Sequence, residues 1–193
     1  MGPTRSVPLE RVTPAPARTG VWIGVLAISM TFAAIASAMI ARAGAAPDWQ
    51  AFRLPAILYA NTVLLMLSSA TLESARSRLG QPDGRTIGGS AAVWLHVTLG
   101  LGLLFIAGQL LAWRALARQG LFLSTAPSSA FFYIFTALHG LHLLGGVGGL
   151  LYARRRVRMV GPAAGETLGA AALYWHFMMF LWVCLLLLLT IRL

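Results

Sequence analysis

Lysine is absent from this chain of 193 residues, acidic residues number only five, and all fifteen basic residues are arginine. A single cysteine, Cys184, excludes an intrachain disulfide and a thiolate-based metal site. Charged residues make up 10%; an ordinary soluble domain carries about 25%, so this chain cannot cover a solvated surface. Long polar stretches are also missing. Short connections of Pro, Gly and Arg separate the apolar runs and leave no room for a nucleotide- or metal-binding module. What is there is hydrocarbon: 58% of the residues are hydrophobic and the mean hydropathy is +0.76. Lipid is the natural solvent of such a chain. In lipid each backbone N–H and C=O must be satisfied internally, which leaves helices or a closed barrel. The apolar runs are long and do not alternate, so they are helices.

Five runs are long enough to span, at about 20–41, 54–76, 91–113, 130–153 and 168–191. The expected fold is an all-α polytopic membrane bundle of five transmembrane helices. Residues 1–19, with Pro3, Pro8, Pro14 and Pro16, read as a disordered tail. The first run is too long for a signal-peptide core and is expected to remain as a span. The arginines are unevenly shared. Arg5, Arg11, Arg18, Arg76, Arg78, Arg85, Arg154, Arg155, Arg156 and Arg158 fall on one side; Arg42, Arg53, Arg114, Arg118 and Arg192 fall on the other. The positive-inside rule puts the N-terminus in the cytoplasm and the C-terminus outside. The net charge of +10 is thus a topology signal and not a nucleic-acid footprint, which needs one exposed basic face.

Polar residues within spans are costly in hydrocarbon and turn toward other helices or a cavity. In the second span helical spacing puts Asn61 and Ser68 on one stripe, with Thr62, Ser69 and Glu73 on the next. Glu73 precedes Arg76 by three residues, which favours a local ion pair over a proton-handling role. In the fourth span His139, His142, Gly146 and Gly149 share a stripe, and Gly145 and Gly149 form a small-xxx-small pair. This face is expected to pack tightly against a neighbour and not to border a cavity. His96 and His176 complete the histidines and lie at similar depth if their helices adjoin. Four intramembrane histidines open the alternative of a free-standing bis-His b-haem cytochrome. That needs two imidazoles at matching depth with space between them. Glu73 is the one acidic residue in any span, which weakens a metal site, and hydrogen-bonded structural histidines are preferred. Cys184 reads as a small apolar filler. A transporter would show a repeat or a midplane charge, and neither is seen. From the residues alone the chain is an accessory subunit of something larger.

Three stretches carry a resemblance. The second span has Asn61-Thr62, then Ser68-Ser69, Thr71 and Ala75. The fourth has Phe131-Phe132 through His139-Gly140-Leu141-His142. The last has Tyr174-Trp175-His176-Phe177 with Trp182 beyond. In this order, and with Gln109 and Trp113 matching a Q-x-x-E-W segment, the chain resembles subunit III of haem–copper respiratory oxidases, in a short form lacking the first two of seven helices. Acidic residues frequent in that family are replaced here: its first matching helix reads Ile28-Ser29-Met30, the acidic position of Q-x-x-E-W is Ala112, and the one after Y-W-H-F is near Met179.

The resemblance implies a subunit without haem or copper, not an enzyme on its own. It would pack against the catalytic subunit I of a proton-pumping oxidase, stabilise it, support proton uptake and bind phospholipid in a helix cleft. The implied location is a bacterial cytoplasmic membrane. His139, His142 and His176 would then be structural and hydrogen-bonded to neighbouring helices. Because the acidic residues are missing, a subunit III-like protein of a nitric oxide reductase stays open as a second reading.

Overall fold

The structure, a computed structural model, describes residues 16–45, 47–78, 89–157 and 162–193. Among the described residues there are five helices: α1 (Pro16–Ala45), α2 (Ile57–Arg78), α3 (Gly89–Arg118), α4 (Pro127–Val157) and α5 (Pro162–Arg192). Each extends past the apolar run that announced it, except at the start of α2. The helix α1 begins at Pro16, inside the expected tail; Pro suits the first turn because its missing N–H is one that no helix bonds. The remainder of that tail, and Arg5, Arg11, Arg85 and Arg158, lie outside the described residues.

Four of the five helices are long and apolar enough by themselves to cross a membrane; α2 is the exception. Its 22 residues rise about 33 Å at 1.5 Å each, so length is adequate. Composition sets it apart: hydroxyl and amide side chains interrupt its apolar face. These side chains point inward, since Asn61, Ser68 and Ser69 are all buried. In lipid a polar helix must find its partners among its neighbours, and α2 does so by packing against both α3 and α5. The helix α1 is the most peripheral, touching only α4 and α5 among the helices. It leaves Trp22, Ile23, Leu26 and Met30 exposed to the surroundings.

Side chains lock both ends. At one end the Arg154 guanidinium donates to His96 Nε2 (2.8 Å), joining α4 to α3, and Arg78 of α2 lies 5.3 Å over the Trp94 ring. At the other end Trp49 donates its indole N–H to the carbonyl of Arg192, and Ser128 donates to that of Gln50 (2.5 Å). The helix α3 stops at Gly120, the one residue with positive φ (77°) among those described. Leu121 N–H reaches back to Leu116 O and Gly120 N–H to Ala117 O. This satisfies carbonyls that the helix leaves open, in a backbone conformation glycine adopts without a Cβ penalty.

Candidate functional site

The two polar stripes of α2 address two different helices. The first faces α3: Asn61 Nδ2 donates to Phe105 O (3.3 Å) and Ser68 Oγ to Thr98 O (3.0 Å). Thr71 extends this stripe through a 2.9 Å bond between its hydroxyl and that of Thr98. The second stripe faces α5. Thr62 accepts the Trp182 indole N–H (3.0 Å), and Ser69 shares a short hydrogen bond with His176 Nδ1. Glu73 bonds Arg76 at 2.8 Å and lies 3.5 Å from His176 Nε2. Trp175 donates to Ser68 Oγ (3.2 Å), so α2, α3 and α5 meet at one hydroxyl. A third indole, Trp113, donates to Thr136 Oγ1 and ties α3 to α4. An indole presents one N–H at the edge of a large apolar surface, so it can bond a hydroxyl across an interface while filling it.

Trp175 and Trp182 are fully buried. They bridge α5 to α3, two helices that do not otherwise adjoin. Gly102 of α3 and Gly146 of α4 make room for the Trp175 ring: a Cβ would meet it at 2.8 Å and 3.2 Å respectively. Trp182 stands edge-on to Phe105 with ring centroids 4.8 Å apart.

The histidines are less uniform than expected. Of His139, His142 and His176, only His176 hydrogen-bonds a neighbouring helix with its ring, as the family resemblance implied. His142 bonds back to Leu138 O of its own helix (2.7 Å) and meets the edge of Phe32. His96 bonds Ala92 O and Arg154, and is not paired with His176, because α3 and α5 do not adjoin at that level. His139 is fully buried, yet both ring nitrogens lack a hydrogen-bonding partner. It packs between Phe105 and Trp182, with centroids 5.7 and 5.1 Å away. The expected hydrogen bond is absent because aromatic rings, and not polar groups, surround it. The four imidazoles thus have four different sets of partners, and among the described residues no three of His, Cys, Asp and Glu come together. Replacing His139 by Phe is therefore expected to leave the heat-denaturation midpoint unchanged or to raise it, since an unpaired buried polar group costs about 1–3 kcal/mol. A clear fall in the midpoint would show that the imidazole has a partner.

The glycine stripe also departs from expectation. Gly146 is closed off, with Tyr174 Cε1 at 3.1 Å from an added Cβ, whereas Gly149 and Gly140 meet nothing within 4 Å. Gly145, Gly146 and Gly149 line a cleft of about 510 Å³ between α4, α5 and the start of α1. Absence of side chains here opens space on one side of α4 where only close approach was expected. Tyr174 closes the inner wall, its hydroxyl donating to His142 O. At the mouth Tyr152 holds Arg156, whose guanidinium donates two bonds to the phenol oxygen (3.0 and 2.7 Å). Arg155 and Arg156 are exposed at that end. The arrangement offers an apolar trough with cations at its opening.

Residues 23–192 match the family model described as cytochrome c oxidase subunit III. The chain belongs to this family. Among curated relatives, a probable cytochrome c oxidase subunit 3 of Nocardia farcinica is 33% identical over 92 residues, 47% of this chain and 45% of that protein. The match to such relatives thus spans a little under half of their length. Longer matches exist to cytochrome c oxidase subunit 3 of Synechocystis, 26% identical over 86% of this chain and 71% of the relative. Subunit 3 of the Pseudomonas aeruginosa cytochrome bo(3) ubiquinol oxidase is 27% identical over 86% of this chain and 79% of its own. Within this subunit III bundle the motif residues of the second and last spans meet where α2, α3 and α5 converge, and of those on α4 His139 joins them by packing on Phe105 and Trp182. Gln109 stands apart. It is 4% exposed and neither its amide nitrogen nor its oxygen has a partner within the chain. No spacing rule in the sequence signals this; it follows from which face of α3 turns to α4.

Proposed function

We propose that this chain is the non-redox subunit III of a proton-pumping terminal oxidase, holding the catalytic subunit in its working form and carrying a phospholipid in the glycine cleft. The observation that supports this reading is the subunit III match across nearly the whole bundle, in a chain whose histidines are dispersed among packing contacts. The bundle sits in a bacterial cytoplasmic membrane with its N-terminus inside and subunit I as its direct partner. The trough beside Gly145 and Gly149 suits an acyl chain, and the exposed guanidinium of Arg156 suits a phosphate.

Purification of a tagged copy from native membranes tests the reading. A larger haem- and copper-containing partner, with phospholipid in the extracted complex, is the expected result. A partner with haem and non-haem iron but no copper would make it a nitric oxide reductase subunit. A chain that purifies alone with its own Soret band would be a b-type cytochrome.

A further inference from the structure

Gln109 is the polar side chain that the bundle leaves unexplained. It lines a groove of about 250 Å³ between α3 and α4, on the far side of α4 from the glycine cleft. The floor includes Gly140, above which an added Cβ would meet nothing. The rim is Leu110, Leu141 and Leu144, exposed to 49, 64 and 51%. Trp113 closes one end, already engaged with Thr136.

These features sit badly with a surface meant only for lipid tails. An amide inside hydrocarbon without a partner is costly, and polar side chains in membrane helices bond across to other helices. A glycine facing open space serves no packing within the chain, while an incoming backbone can come close to it. His139 lacks partners too, but it faces inward among aromatic rings, so only Gln109 borders space that a visitor can enter. The amide is covered in the free chain, on a residue that lines the groove.

We infer that the α3–α4 groove is a contact surface for a transmembrane helix of another subunit of the complex, which presents a hydroxyl or amide side chain to Gln109 and packs against Gly140. The occupant is a protein helix because acyl chains carry no group for the amide, and a subunit of a multi-subunit oxidase has such helices beside it in the membrane. This rests on the subunit III reading given above.

The test uses the intact complex in native membranes. A photoreactive residue at Leu141 or Leu144 is expected to crosslink this chain to one other oxidase subunit, while one at Phe180, 63% exposed on α5, gives no such product. The Gln109→Leu variant of the full chain is expected to keep or raise its own heat-denaturation midpoint. Retention of the oxidase partner under detergent challenge should fall about tenfold, the scale of one lost buried hydrogen bond. Crosslinks to lipid alone or to a second copy overturn the inference. So does unchanged partner retention, or a Gln109→Leu chain that is itself less stable. If no oxidase subunit accompanies the wild-type chain at all, the failure lies in the subunit III reading.

Discussion

Truncation of Trp175 to alanine is expected to cost about 3–5 kcal/mol, the range for removing a fully buried large aromatic side chain. No other single truncation in the bundle should exceed it. The ring fills the junction where α5 meets α3 at Gly102, α4 at Gly146 and α2 at Ser68. Its loss opens a cavity bordered by three other helices, and glycine on two sides means no neighbouring side chain can swing in to fill it. Heat or denaturant unfolding of the full chain in detergent reads the effect. Trp175→Phe separates its parts: the smaller ring keeps most of the apolar contact but leaves Ser68 without the indole donor, for a loss of about 1 kcal/mol beyond packing. Ser68→Ala should then add to Trp175→Phe only the loss of the Ser68 bond to Thr98 O, about 1 kcal/mol, because the indole bond is already gone and is not counted twice. If Trp175→Ala lowers stability no more than truncation of an exposed leucine such as Leu187, the junction is not the centre of the bundle.

The helix count and the polar stripes are legible in the sequence, for a physical reason. Polar groups are costly in lipid, so the spacing of Asn61 with Ser68, and of Thr62 with Ser69, implies faces turned toward other helices. Which helices these were, α3 and α5, depends on packing order, and a single chain does not encode that in any local period. On α4 the glycines do two different things. Glycine does bring Gly146 against Tyr174 and Trp175, but the same absence of side chains at Gly145 and Gly149 leaves a cleft. A glycine stripe specifies a smooth surface; whether a helix or a void lies against it is decided by neighbours elsewhere in the chain. The histidines mislead similarly. A buried imidazole is expected to be hydrogen-bonded, yet His139 is held by Phe105 and Trp182, residues distant in sequence on two other helices.

The second large effect is expected at Gly108, which no sequence motif marks. A methyl group there would overlap the amide oxygen of Asn61 and come within 2.9 Å of its Cγ. Asn61 is 1% exposed and its Nδ2 is committed to Phe105 O. It cannot withdraw without giving up that bond or forcing α2 away from α3. Overpacking of this kind costs about 1–3 kcal/mol, and the broken bond adds about 1 kcal/mol, so Gly108→Ala should destabilise the chain by about 2–4 kcal/mol. Asn61→Ala, by contrast, removes both the amide and the obstacle, and its cost should be about 1 kcal/mol because Asn61 takes its unpaired polar atoms with it. The informative variant is the pair. With Asn61 cut back to alanine, the Gly108 methyl has room, so the double variant should be more stable than Gly108→Ala alone. A coupling of about 1–3 kcal/mol is the size seen for residues in direct contact. Simple additivity of the two substitutions would mean that α2 and α3 do not approach each other at this point, and that the Asn61-Thr62 motif earns its place in the family pattern by some other contact.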